Sequence, residues 1–129
     1  MIYLDYASTT PIRKEVLETY TMLLHKYYGN SDSLHEIGRE TSKLMEQSRA
    51  QIAQLLHVHK DEIIFTSCAS ESNNYAIKGF AWQNKRRGNH IISSCVEHSS
   101  VSMALEQLKE VFGFEITYLP VYEDGKIRL

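Results

Sequence analysis

Cysteine is scarce in this sequence: Cys68 and Cys95 are the only two among 129 residues. That is too few for a disulfide framework, and with no CxxC pair it reads as two reduced thiols. Proline is as rare, at Pro11 and Pro120, so no Pro-rich linker divides the chain. No apolar run approaches the roughly 20 residues that span a bilayer, and the opening Met1-Ile2-Tyr3-Leu4-Asp5 lacks the basic flank and apolar centre of a signal sequence. Neither sign of charge prevails: 14 Lys and Arg against 16 Asp and Glu leave a formal net charge of -2. A nucleic-acid surface or an anionic membrane is therefore not an expected partner. Repeats and low-complexity tracts are absent too. A soluble, cytoplasmic domain is the expectation, and 43% hydrophobic with 23% charged residues is its ordinary composition. A chain of this length buries roughly two-thirds of the surface it exposes when unfolded.

The apolar residues that are present recur at readable intervals. After the short polar stretch Asp5 to Thr10, Pro11 suits a helix start. Val16, Leu17, Tyr20, Leu23, Leu24 and Tyr27 then follow at helical spacing, and Gly29-Asn30 is the expected stop. A longer amphipathic helix runs through Leu34, Ile37, Leu44, Met45, Ile52, Leu55 and Leu56. Glu62 to Ser67 (EIIFTS) has the β-branched and aromatic composition of a buried strand. Ser70 to about Arg86 reads as helix, His90 to Cys95 as strand, Ser99 to Phe112 as helix, Phe114 to Val121 as a third strand and Glu123 to Lys126 as a turn. Strand alternating with helix predicts an α/β domain with a largely parallel sheet.

In such sheets ligands gather beyond the carboxyl ends of the strands. Two polar segments stand there. Cys68-Ala69-Ser70-Glu71-Ser72-Asn73-Asn74 leads from the first strand into a helix whose first-turn N–H groups lack intrahelical partners and carry the positive end of the dipole. A phosphate there gains charge-assisted hydrogen bonds of roughly 1.5–3 kcal/mol each. The plainer role for Ser70 is to cap its helix. Ser94-Cys95-Val96-Glu97-His98-Ser99-Ser100 ends the second strand, and His98 there suits a general base, a stacking platform, a metal ligand or a surface residue without a task. Cys68, Cys95 and His98 also make a weak zinc set, with His57 and His59 more simply solvated turn residues.

Taken together, the motifs carry a resemblance. Tyr3-Leu4-Asp5-Tyr6-Ala7-Ser8-Thr9-Thr10-Pro11 resembles the opening of the class V aminotransferases, a group of pyridoxal-phosphate enzymes of fold type I, and of their cysteine desulfurase branch in particular. Gly29-Asn30-Ser31-Asp32-Ser33-Leu34-His35-Glu36-Ile37-Gly38 is similar to the next signature of that branch. Phe65-Thr66-Ser67-Cys68-Ala69-Ser70-Glu71-Ser72-Asn73-Asn74, with Ala76-Ile77-Lys78-Gly79, is similar to its phosphate-binding stretch, and His90-Ile91-Ile92 followed by Glu97-His98 to the strand that ends in its cofactor-stacking histidine. The resemblance covers the whole chain but well under half of such an enzyme. It implies the first part of a large α/β cofactor domain over residues 34–129, preceded by an N-terminal helical segment over 1–33.

For pyridoxal 5'-phosphate the resemblance implies phosphate contacts at Ala69 and Ser70, and His98 stacked over the ring with a possible acid–base role. Ala7 to Thr10 and Asn30 to His35 would line the active-site mouth or a subunit interface. The implied partners are L-cysteine as substrate, a second subunit in a homodimer, and sulfur-acceptor proteins for iron–sulfur cluster assembly or tRNA thiolation. The sequence departs from the pattern in three places: Cys68 stands where glycine is usual, Ser70 where threonine is, and Ser31-Asp32 where Pro-Ser is common. If position 68 requires a positive φ, cysteine there is strained.

The family's Schiff-base lysine, its aspartate partner of the ring nitrogen and its nucleophilic cysteine have no counterparts in these residues; Lys78, Lys85 and Lys126 match no such position. The strands that in the family insert between EIIFTS and HIISSC are missing as well, so bare sheet edges and a tendency to aggregate are expected. A selenocysteine lyase, or a non-catalytic fragment that regulates a full-length enzyme, is the alternative reading.

Overall fold

The computed structural model describes residues 2–128, and the chain forms two compact units that divide between Ile64 and Phe65. In the first, α1 (Lys14–Lys26) is capped by Arg13, so Pro11 lies ahead of the helix rather than in its first turn. No residue of α1 is buried: Val16, Leu17, Tyr20 and Leu24 all stand open to solvent. α2 (Glu36–Leu56) starts at His35, whose Nδ1 accepts the Gly38 N–H at 3.2 Å. It ends at His57, held in the left-handed region at φ 56° with its N–H on Ala53 O and Gln54 O. Histidine is among the non-glycine residues that visit that region more often than most.

The segment before α2 explains the spacing of its motif. Asn30 Oδ1 accepts the Asp32 N–H at 3.0 Å and Asn30 O accepts the Ser33 N–H at 3.0 Å, which closes the turn without the proline common there. Gly38 is buried beneath that turn, and a Cβ on it would lie 2.8 Å from Asn30 O and press on Ser33. Only glycine fits. After α2, a single 3₁₀ turn (Lys60–Glu62) is tied back by Lys60 to Glu46, and Glu46 also pairs with Arg49 at 3.1 Å. Those two cations, Lys60 first, hold the Glu46 carboxyl below its usual range. Arg49 also donates to Ile63 O.

The expected strand EIIFTS does not form. Glu62 closes the 3₁₀ turn, Ile63 is extended, and residues 63–66 belong to no sheet among the described residues. Extended backbone becomes a strand only beside another strand, and none of those described lies against it.

The second unit has the predicted alternation: α3 (Ala69–Asn84), β1 (His90–Ser94), α4 (Ser99–Phe112) and β2 (Glu115–Leu119). β1 and β2 pair in parallel, His90 opposite Glu115 through Ser94 opposite Leu119, with α4 as the crossover between them. Ala81 of α3, Leu105 and Leu108 of α4, and Phe114 form the buried core, with Ile77, Ile91, Val101 and Ile116 packed around it. Trp82 meets the edge of Phe112 at 5.2 Å. Gly113, at φ 71°, ends α4 in a conformation that costs other residues about 1–2 kcal/mol and turns the chain into β2. Among the described residues the sheet has two strands, which leaves one edge of β1 open. A groove of about 800 Å³, lined by Ile77, Phe80, Ile91, Ile92 and Val101, runs between α3 and β1. No helix among the described residues is long and apolar enough to cross a membrane.

Candidate active site

The start of α3 is built from small polar residues. The helix cap is Cys68, not Ser70: Cys68 is extended at φ -165° and ψ 169°, and Ser70 lies inside the first turn. An extended backbone suits any residue, so the cysteine that replaces glycine here carries no strain. Ala69 offers only a methyl group, and both it and Ser70 are exposed. The Ser70 hydroxyl makes no hydrogen bond with the described residues, while its carbonyl accepts Asn74 Nδ2 at 2.8 Å.

Glu71 does not point its charge outward from the first turn. Its Oε2 accepts the Ser67 N–H at 2.6 Å and the Ser67 hydroxyl at 2.7 Å. The hydroxyl first, and then the amide, hold the carboxyl below its ordinary 4.5. Because the folded value is the lower one, this interaction is present above pH 4.5 and is lost as the pH falls through the folded value. The Ser67 amide resonance is accordingly expected to titrate with a midpoint below 4.5, and to stop titrating in Glu71→Gln. A midpoint at or above 4.5 would contradict the contact.

Cys68 makes no capping hydrogen bond, yet its thiol is depressed below the ordinary 9.0. The nearby Glu71 amide does most of this, helped by the Ser67 hydroxyl at 3.8 Å and the Ser70 amide. Backbone N–H groups at the start of α3 thus already favour an anion.

At the end of β1, Cys95 N–H bonds to Leu119 O at 3.0 Å, and the Ser94 hydroxyl donates to Glu97 Oε1 at 2.7 Å. The chain then turns into α4 with His98 as the cap: its Nδ1 accepts the Ser100 N–H at 3.1 Å and lies 2.9 Å from Ser100 Oγ. Ser100 is buried, and its Oγ also accepts Asn73 Nδ2 at 2.8 Å. Asn73 is on α3, one turn beyond Ala69 and Ser70. A two-bond bridge therefore joins the second turn of α3 to the start of α4, so the polar segments that contain Ser70 and His98 belong to one end of this unit.

Asn73 and Ser100 escaped the sequence reading. The available signal was Asn73-Asn74 itself, two poor helix formers inside a helix, which calls for a polar task. Ala7 to Thr10 lies exposed in the first unit. Lys78 donates to Gln107 Oε1, Lys85 to Phe112 O at 2.9 Å, and Lys126 pairs with Asp124 at 2.7 Å. Among the described residues, no three His, Cys, Asp or Glu side chains gather as a metal-binding group.

With this geometry established, comparison with known proteins is specific. The chain is 50% identical over 124 residues to a cysteine desulfurase IscS of Dictyoglomus turgidum, covering 96% of this chain and 31% of that protein. It is 47% identical over 127 residues to a NifS/IcsS protein homolog of Lactobacillus delbrueckii subsp. bulgaricus, covering 98% and 33%. Among solved structures it superposes on a NifS-like protein with a TM-score of 0.83 at 37% identity (93% of this chain, 33% of that one). The apo cysteine desulfurase of Thermococcus onnurineus NA1 gives 0.81 at 27% identity (98% and 32%). The chain thus spans about a third of the length of the curated relatives it matches. The α/β architecture is that of the NifS-like enzymes, as the motifs implied. The profile described as aminotransferase class-V matches residues 2–129, and the chain belongs to that family.

Proposed function

We propose that this chain is the opening portion of a pyridoxal-phosphate-dependent cysteine desulfurase, which converts L-cysteine to L-alanine and passes the sulfur to an enzyme cysteine as a persulfide. The observation that carries the reading is the Asn73–Ser100–His98 bridge, which ties the helix start bearing Ala69 and Ser70 to the histidine at the strand end. The residues present fit the cofactor's phosphate. A helix start with a free serine hydroxyl, a methyl-sized neighbour and amides that already lower the Cys68 thiol is suited to a dianion. Ala69 and Ser70 would then hold the phosphate, and His98 would meet the cofactor's ring. When bound, the cofactor supplies an electron sink for bond breaking at the substrate's α-carbon.

In the same reading, residues 1–33 belong to the region of the active-site mouth and small domain, and 34–129 to the cofactor domain. The intact protein is a cytoplasmic homodimer that hands sulfur to acceptor proteins for iron–sulfur cluster assembly or tRNA thiolation.

Cys68 makes the phosphate site testable without turnover. Pyridoxamine 5'-phosphate, which has no aldehyde to react with lysines, is expected to slow alkylation of Cys68 by iodoacetamide. At ten times its dissociation constant the slowing is about tenfold. Pyridoxamine, lacking the phosphate, is expected to protect far less, and Ser70→Ala to weaken protection roughly tenfold. Equal protection by the two compounds would remove the phosphate site.

A further inference from the structure

The bridge between α3 and α4 also has a direction, and it fixes a property of His98 that its position alone does not. The Ser100 backbone N–H can only donate, and it donates to His98 Nδ1 at 3.1 Å. In the neutral ring that nitrogen therefore carries a lone pair and no proton. The Ser100 hydroxyl, 2.9 Å from the same nitrogen, must then spend its one proton on Nδ1. Its oxygen is left to accept, and Asn73 Nδ2 supplies the proton at 2.8 Å. The order of donation is Asn73 N–H to Ser100 Oγ, and Ser100 O–H to His98 Nδ1. With Asn73 Nδ2 donating to Ser100 Oγ, the hydroxyl proton is free to face Nδ1 beside the backbone N–H.

We infer that Asn73 and Ser100 are positioning residues that lock neutral His98 into the tautomer with its proton on Nε2. His98 itself is exposed, whereas Ser100 is buried and Asn73 half-buried. The ring thus has one nitrogen bound to the fold and the other available. That available nitrogen carries an N–H, so neutral His98 offers a hydrogen-bond donor to whatever lies against it. It can donate a hydrogen bond to a developing anion and cannot take a proton at that atom while neutral. This rests on His98 being the residue that meets cofactor and substrate, but the tautomer is a property of the chain without either.

The test is two-bond ¹H–¹⁵N correlation NMR on the full chain labelled with ¹⁵N-histidine, at a pH where the rings are neutral. His98 is assigned as the signal set missing from His98→Gln. Its Nε2–H form is expected to exceed Nδ1–H by at least about tenfold, since two donors converge on Nδ1. Asn73→Asp replaces the donor by an acceptor, turns the Ser100 hydroxyl away from the ring, and is expected to lower that ratio by about fivefold or more. Ser100→Thr keeps the hydroxyl and is expected to keep the ratio, which separates lost polarity from lost packing. An Nδ1–H ring at His98, a ratio that ignores Asn73→Asp, or one common ratio for all six histidines would each overturn the inference. None of those results bears on the phosphate site, which the Cys68 alkylation test decides by itself.

Discussion

Leu108→Ala is expected to unfold the second unit at room temperature. Leu108 is fully buried and sits in one cluster with Leu105, Ala81 and Phe114, the core of that unit. Truncating a buried leucine removes its transfer free energy and leaves a cavity, at about 2–5 kcal/mol. A unit of some 65 residues at ordinary stability per residue has roughly 3–10 kcal/mol in total. This one leaves Phe80, Ile92, Met103 and Val111 largely exposed, which places it at the low end. Loss of one core leucine therefore approaches the whole of its stability. Trp82, packed on Phe112, reports the change through its fluorescence in a urea titration. Val111→Ala, on the solvent side of the same helix, is expected to move the midpoint by no more than about 0.5 kcal/mol equivalent. Equal midpoints for Leu108→Ala and the parent chain would mean that the core described above does not hold the unit together.

The second large effect is catalytic. This polypeptide, given pyridoxal phosphate and L-cysteine, is expected to release alanine no faster than the cofactor does unaided. Enzymes of all classes exceed their uncatalysed reference by about a millionfold or more, so the expected deficit is of that order. The reason lies in the side chains present. Lys78, Lys85 and Lys126 each have an established partner, in Gln107, the Phe112 carbonyl and Asp124, and none lies in the Ser70–His98 cluster. Backbone amides and the Ser67 hydroxyl hold the Cys68 thiol below its ordinary range, but it stands at the phosphate end of the proposed site. Alanine is measured against a blank of cofactor and cysteine. A rate about a hundredfold above that blank, abolished by His98→Ala, would show that the chain is a complete catalyst.

Much of this architecture could be read from the residues because the signals were local. The 3.6-residue periods of α1, α2 and α4 are written within each segment. Helix α4 runs from Ser99 to Phe112 as the spacing requires. EIIFTS failed as a strand for the opposite reason: composition records that a segment suits a sheet, whereas pairing depends on a neighbour elsewhere in the chain. The helix start was legible as a polar, small-residue segment, but its cap was misassigned. Ser70 has the better capping side chain, and only the backbone at Cys68 shows where the helix begins. The Asn73–Ser100 bond joins residues 27 apart in sequence, and no local pattern encodes it.

The open edge of β1 has a consequence for synthesis. Ribosomes add about 5–20 residues per second, and relatives of this chain are some three times its length. In such a polypeptide, a closing strand encoded beyond Leu119 is still to be made when Leu119 emerges. For tens of seconds the half-sheet, with Ile92 and Phe80 uncovered beside it, is a ready target for a neighbouring nascent chain. Shielding by a chaperone during that interval, rather than the stability of the finished fold, would then set how much of it reaches the folded state.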